Sequence, residues 1–167
     1  MAAMLHDVGK VAISDTILKK PARFTEEEYD IIKQHTVLGA RLFADRQSDF
    51  DEAAAVVALT HHERWDGKGY PGYVSVETGK PLPEHTNADG TAVGKKAEEI
   101  PLFGRIVALA DVFDALSSAR AYKEAWSEDQ VLDTLRKDSG THFDPELVDI
   151  FFNKIETIKS IQQRYQE

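Results

Sequence analysis

The chain has 167 residues and a formal net charge of −9, with 42% hydrophobic residues, 29% charged residues and no cysteine. This length and balance predict one globular domain with a sizeable core and exclude wholesale disorder, and no run approaches the roughly 20 apolar residues that insert directly into a membrane. The negative charge argues against a nucleic-acid polymer as partner, and the absence of cysteine excludes disulfides and thiolate metal sites and fits a cytoplasmic location.

Helix signals begin at the N-terminus. Residues 1–5 supply about one turn before His6 and Asp7, which is too short a support for a pair of ligands, so we expect the chain to be the C-terminal part of a longer protein. Gly9 is suited to cap this helix at its C-terminal end. Thr25 and Glu28 form a capping box, which opens a helix with apolar residues at spacings of three and four.

The middle of the chain changes character. An alanine- and valine-rich helix is predicted over residues 51–63. Residues 64–99 are rich in Gly, Pro, Thr and Asn without a sustained period, which predicts an irregular loop. Residues 73–76 are the one candidate for a short hairpin.

Capping residues mark the remaining helices. Pro101 is typical of the first position of a helix, here running to about residue 118. Ser127 and Asp144 cap the last two helices. The predicted class is therefore all-α, with a single domain over residues 1–167.

Histidine and aspartate residues recur within the predicted helices. They are His6, Asp7, His35, His61, His62 and Asp111. Neutral imidazoles and carboxylates bind first-row divalent metals and leave coordination positions open for water and substrate. Each residue alone has another explanation, such as a half-buried histidine or a core carboxylate held by an arginine. The joint pattern favours a hydrolytic metal site in a helical bundle.

Further residues are candidates for binding substrate. Lys10 follows the His-Asp pair by one turn and could hold a phosphate, although a cation that complements a helix C-terminus is the alternative. Residues 66–71 form either a simple turn or the wall of a substrate pocket. Arg120 and Lys123 could bind a second phosphate or a base, and a solvated helical turn would explain them equally well.

Together these motifs resemble those of the bacterial HD-GYP domains, a branch of the HD metal-dependent phosphohydrolases. The matches run in family order from one end of the chain to the other. They are His6-Asp7-Val-Gly-Lys10, His35 with Gly39, His61-His62-Glu63, Asp66-Gly-Lys-Gly-Tyr70-Pro71, Ile100-Pro-Leu-Phe103, Ala110-Asp-Val-Phe-Asp-Ala-Leu116 and Gly140-Thr-His-Phe143-Asp-Pro145.

The resemblance implies an all-helical HD-domain bundle that holds two divalent metal ions, or three in some members, with iron as the first candidate and manganese as the second. It implies hydrolysis of cyclic di-GMP to the linear dinucleotide pGpG, and in some members onward to GMP, in bacterial second-messenger signalling. The implied metal ligands are His6, Asp7, His35, His61, His62 and Asp111.

Other roles carry over from the same resemblance. Asp7 and Lys10 are the implied catalytic residues, with Lys10 also contacting phosphate. Arg120 and Lys123 resemble the substrate-binding pair. Gly69, Tyr70 and Pro71 form the namesake loop, which in the family contributes to the active-site wall and contacts diguanylate cyclase (GGDEF) domains.

Three features depart from the family pattern. The family domain begins a few tens of residues earlier, so this chain would lack its first helices, expose an apolar surface and associate as a homo-oligomer. Residues 72–99 form an unusually long link, interpreted as a loop insertion. Ala119 and Ala121 replace the Asp and Pro that usually flank the substrate-binding arginine.

The favoured prediction is a cyclic di-GMP phosphodiesterase fused upstream to a sensory or receiver region. One alternative is a non-catalytic or weakly catalytic signalling module that binds GGDEF-type partners through the GYP loop. Another is an enzyme for a different phosphorylated nucleotide. Retention of all six ligand positions favours the enzyme.

Overall fold

A computed structural model of the protein describes residues 2–118 and 126–165. Within these ranges the chain is helical and contains no strand, so the predicted all-α class is confirmed. The α-helices are α1 (Asp15–Leu18), α2 (Glu26–Lys33), α3 (His35–Arg41), α4 (Asp49–Thr60), α5 (Leu102–Ser117), α6 (Glu128–Lys137), α7 (Pro145–Asn153) and α8 (Ile155–Tyr165). Short 3₁₀ helices cover Ala2–Leu5, Val8–Ala12, Pro83–His85 and Ala97–Glu99.

The fold divides into two compact units, Met1–Ala108 and Leu109–Glu167. α5 contributes its first turns to the first unit and the rest of its length to the second. None of the described helices is both long enough and apolar enough to cross a membrane.

Two glycines bring the first 3₁₀ segments against α3 in the first unit. A Cβ atom on Gly9 would lie 1.9 Å from the carbonyl oxygen of His35 and 2.4 Å from the amide nitrogen of Gly39. The backbones are also close at Gly39, since its own Cβ would lie 3.2 Å from the nitrogen of Gly9. The predicted capping role of Gly9 is wrong, because its φ is not positive and its small size serves this packing instead.

The capping box at the start of α2 is confirmed. The Thr25 hydroxyl accepts a hydrogen bond from the Glu28 amide at 3.2 Å, and the Glu28 carboxylate accepts one from the Thr25 amide at 2.8 Å. The single helix predicted to continue through His35 is instead divided at Gln34. The amide of Gln34 bonds to the Ile31 carbonyl, three residues back, so the turn tightens locally before α3 begins.

The second unit has its own hydrophobic core. Phe113 of α5 meets Phe151 of α7 edge to face, with ring centroids 5.1 Å apart.

Ser127 caps α6 in a capping box with Gln130, and the Asp144 carboxylate accepts from the Glu146 amide at the start of α7. Both predicted caps are therefore confirmed, whereas the last predicted helix is divided at its C-cap into α7 and α8.

The long segment between α4 and α5 is irregular, as predicted. Its backbone pairing is limited to isolated antiparallel bridges, Val74 with Pro81 and Thr86 with Ala92, within the part of the chain that is described. The hairpin expected at residues 73–76 is therefore reduced to a single bridge. A hydrogen bond from the Tyr73 amide to the Val93 carbonyl, 2.9 Å long, closes the loop on itself.

Candidate metal centre

Four of the predicted ligands meet in the first unit. Asp7, His35, His61 and His62 each place one ligand atom so that all four atoms lie within 4.8 Å of one another. The expectation that these residues lie inside helices is largely wrong. Asp7 lies between two 3₁₀ helices, His35 is the first residue of α3, and His61 and His62 follow the last residue of α4. At such ends the backbone turns away from the helical path, so neighbouring side chains can converge on one point.

The backbone fixes the protonation of the cluster's imidazoles. Nδ1 of His35 lies 2.7 Å from the Ile32 carbonyl, and Nδ1 of His61 lies 3.0 Å from the Val57 carbonyl. A carbonyl only accepts hydrogen bonds, so each neutral ring carries its proton on Nδ1 and its lone pair on Nε2. His6 repeats the pattern, with Nδ1 2.7 Å from the Ala3 carbonyl.

The lone pairs face one another around a point that holds only acceptors. The Nε2 atoms of His35 and His61 are 3.4 Å apart. Asp7 Oδ1 lies 3.4 Å from the first and 3.9 Å from the second. It is buried and accepts no hydrogen bond from the described residues. Orphaned acceptors of this kind are costly unless a cation lies between them, so the donor set fits a divalent first-row metal.

The surroundings keep these ligands in their coordinating protonation states. Burial lowers the pKa of His61 to about 4 and holds the pKa of His35 and His62 below the usual value, so all three are neutral at pH 7. Burial by itself raises the pKa of Asp7. The neighbouring His6 ring and the Lys10 ammonium outweigh it and hold that pKa well below its usual range.

His6 and Lys10 border the cluster through Asp7. Nε2 of His6 lies 3.4 Å from Asp7 Oδ2, and the ring of His6 packs edge to face on His61 at 5.0 Å. The Lys10 ammonium donates to Asp7 Oδ2 at 2.5 Å and remains 41% exposed. Metal ligation by His6 and phosphate binding by Lys10 stay predictions.

The remaining residues predicted to bind metal or substrate are Asp111, Arg120 and Lys123. Asp111 lies on α5 in the second unit and is half-buried rather than buried as expected. Arg120 and Lys123 lie outside the described residues. The roles of all three stay predictions.

The GYP loop folds back on the histidine pair. The ring of Tyr70 stacks on the imidazole of His62, with centroids 4.8 Å apart and planes 24° apart. The Tyr70 amide also donates to the His62 carbonyl at 3.1 Å. Gly69 allows this approach, because a Cβ there would lie 2.5 Å from the Cα of Glu63. Tyr70 is therefore in contact with one residue of the cluster, and the substrate-binding roles of Gly69, Tyr70 and Pro71 stay predictions.

Glu63 has a role that the sequence did not reveal. Its side chain is 2% exposed, and its two oxygens accept from the Gly72 amide at 2.7 Å and the Lys95 amide at 3.2 Å. The Lys95 ammonium lies 3.8 Å from the carboxylate and donates to the Gly72 carbonyl at 2.6 Å. Glu63 directly follows His62. It thus anchors both ends of the long loop, through the amides of Gly72 and Lys95. A charged residue directly after the histidine pair of an apolar helix was the available signal.

The HD domain family model matches residues 1–116. The chain belongs to the HD domain family. The family prediction made from the histidine and aspartate motifs is therefore confirmed.

Relatives of this HD domain are named as cyclic-dinucleotide phosphodiesterases. The cyclic di-GMP phosphodiesterase response regulator RpfG of Xanthomonas campestris is 46% identical over 89% of this chain and 34% of its own length. A cyclic di-GMP phosphodiesterase of Thermotoga maritima is 39% identical over 98% of this chain and 39% of its own length. The 3'3'-cGAMP-specific phosphodiesterase 2 of Vibrio cholerae is 38% identical over 89% of this chain and 24% of its own length. The chain thus spans between a quarter and two fifths of these relatives.

Proposed function

We propose that this HD domain is a metal-dependent cyclic di-GMP phosphodiesterase, which opens the cyclic dinucleotide to pGpG, with onward hydrolysis of pGpG to GMP as a further step. The observation that carries the proposal is the convergence of the Asp7 carboxylate and the Nε2 lone pairs of His35 and His61 on a point without a donor. The names of the relatives support the substrate class.

Each residue of the cluster has a defined task in this proposal. Asp7, His35, His61 and His62 would hold divalent metal, iron first and manganese second. When bound there, such ions supply Lewis acidity that neutralises phosphoryl charge and makes water acidic enough to attack at neutral pH. The carbonyl bonds at Nδ1 hold the imidazoles in the coordinating tautomer. Lys10, partly exposed beside Asp7, offers positive charge to a substrate phosphate.

The proposal extends to residues and partners beyond the cluster. His6 and Asp111 would complete a site of two ions, or three, and Arg120 with Lys123 would bind substrate. The domain would comprise residues 1–167, with residues 72–99 as a loop insertion. We also propose a cytoplasmic location, homo-oligomer formation and contact of the GYP loop with GGDEF-domain proteins.

Turnover of cyclic di-GMP tests the proposal. Protein loaded anaerobically with Fe(II) or Mn(II) is incubated with substrate, and products are resolved by chromatography. We expect turnover that Asp7→Ala abolishes and that the surface variant Asp133→Asn in the second unit retains. Full metal loading without turnover would contradict the proposal and favour the binding module, which Asp7→Ala should leave competent for its partner.

A second substrate belongs in the same assay. One relative at 38% identity is named for specificity toward 3'3'-cGAMP, which carries one adenine and one guanine. A higher kcat/KM for 3'3'-cGAMP than for cyclic di-GMP at equal metal loading would assign this HD domain to that substrate.

A further inference from the structure

We propose that a cleft beside the metal centre binds one purine base of the substrate, and that Asp30 makes this subsite selective for guanine. The inference rests on the proposed function and deepens it, because it names the feature that distinguishes guanine from adenine. The names of the relatives leave that distinction open, since they include both cyclic di-GMP and 3'3'-cGAMP phosphodiesterases.

The cleft lies entirely within the first unit and has a volume of about 360 Å³. α2 provides one wall through Asp30 and Lys33, the GYP loop provides another through Tyr70, and the long loop closes it through Pro81 and Thr91. This volume is near the lower end of the roughly 300–1,000 Å³ of small-molecule sites, which suits half of a cyclic dinucleotide. Part of its wall comes from residues 72–99, the segment interpreted as a loop insertion.

Tyr70 connects the cleft to the metal centre. Its ring lines the cleft and also stacks on His62, one of the four clustered ligands. A substrate phosphate at the cluster therefore places the attached nucleoside within reach of the cleft. Aromatic rings such as Tyr70 are common stacking partners of bases that are not paired in a duplex.

Asp30 and Lys33 present a pattern that matches guanine. The Lys33 ammonium donates to Asp30 at 2.8 Å, and it also lies 4.8 Å from the centre of the Tyr29 ring, which helps to hold it in place. The Asp30 side chain is 70% exposed, so its second oxygen is accessible to a ligand. Guanine carries N–H donors beside the O6 acceptor, whereas adenine presents an amino donor where guanine has O6. A carboxylate can accept from the two adjacent N–H groups of guanine, whereas adenine offers it a single amino donor beside a ring-nitrogen lone pair that repels it.

A competing explanation is that Asp30 and Lys33 only form a surface ion pair between residues three apart on a helix. Such a pair contributes little to the stability of a protein. The chain contains such a pair in the second unit, Asp133 with Arg136 at 3.5 Å, and neither residue lines the cleft. Asp133→Asn is therefore a matched control for Asp30→Asn, because both variants remove one exposed carboxylate from an ion pair of the same spacing.

Equilibrium binding decides the proposal without depending on turnover. Cyclic di-GMP and cyclic di-AMP are titrated calorimetrically into the full chain in the presence of EDTA, for the unaltered protein, Asp30→Asn and Asp133→Asn. We expect the unaltered protein and Asp133→Asn to prefer cyclic di-GMP at least tenfold, in line with the discrimination typical of a paired contact to a base edge. Asp30→Asn should lose most of this preference.

The outcomes separate this inference from the proposed function. Equal preference in the two variants, no preference in the unaltered protein, or no binding of either dinucleotide under chelation would each overturn the guanine subsite. The proposed function is judged independently by turnover of cyclic di-GMP with metal present. In that assay, the ratio of kcat/KM for the two dinucleotides should fall for Asp30→Asn by the same factor as the binding preference.

Discussion

Replacement of Gly9 by alanine tests how tightly the metal centre depends on backbone packing. The new Cβ would lie 1.9 Å from the His35 carbonyl oxygen, whereas ordinary contacts begin near 3.4 Å. The difference, 3.4 − 1.9, is 1.5 Å, and because the obstructing atoms are backbone, the 3₁₀ segment has to move away from α3 by about that distance. Asp7 is on the moving side and His35 on the other, so the gap between two ligands opens.

Two effects of different size should follow. Overpacking of this kind costs about 1–3 kcal/mol of unfolding free energy. Metal sites tolerate only about 0.2 Å of deviation in ligand distance, so we expect Mn(II) affinity to fall by at least about tenfold. Urea unfolding in EDTA measures the loss of unfolding free energy, and titration with Mn(II) measures the loss of metal affinity.

Gly90→Ala provides the control. No described atom lies within 4 Å of the Cβ it would add, but the φ of 85° there strains any side chain. Strain of this type costs about 1 kcal/mol, and the added Cβ touches no residue of the cluster, so stability should fall while Mn(II) affinity stays unchanged. If Gly9→Ala binds Mn(II) as tightly as Gly90→Ala, the packing between Gly9 and α3 does not set the ligand geometry and the reasoning is refuted.

The other predictions concern the loop anchor and the pH dependence of stability. Glu63→Ala leaves two amides without an acceptor and Lys95 without its ion partner, so urea unfolding should show a loss of about 3 kcal/mol in unfolding free energy. Glu128→Ala, which breaks an exposed ion pair, should cost less than about 1 kcal/mol. Equal losses in the two variants would contradict the anchoring role of Glu63. The pKa of His61 is about 4 in the folded protein, below its ordinary value of 6.5, so the unfolded chain binds more protons between these values. Stability in EDTA should therefore fall as the pH drops from 6.5 to 4, by about 3 kcal/mol from this residue alone. His35 and His62 act in the same direction, whereas Glu63, whose pKa is raised by burial, acts in the opposite one. Unfolding free energies that do not change over this range would show that the imidazoles are not desolvated.

The features that could be predicted from the sequence are those with local causes. The capping boxes at Thr25 and Ser127 need only residues three apart, and both are present. The cap at Asp144, followed by proline, is equally local. The clustered ligands could be identified because histidine and aspartate, both suited to metal binding, recur in one pattern, which a single histidine does not provide.

The features that escaped prediction depend on contacts distant in sequence or on small changes in backbone. The division of α2 from α3 at Gln34 leaves the apolar periodicity intact, so no pattern indicates it. The packing of Gly9 on α3 joins segments about 30 residues apart, and a glycine alone is equally consistent with a cap. The anchor at Glu63 depends on Lys95, which lies 32 residues later in a segment without periodicity.

The energetics of the cluster favour a catalytic metal site over a purely structural role in partner binding. Three desolvated imidazoles and a buried carboxylate oxygen without a donor each lower the stability of the metal-free fold. A surface that only bound a partner would gain nothing from such a group, and apolar residues of similar size would pack there at lower cost. Metal binding turns this loss of stability into a gain, because the ion supplies the missing partner to every acceptor at once. It stabilises the folded state according to its affinity. The arrangement is therefore best explained by selection for the bound ion and for the chemistry that the ion supplies.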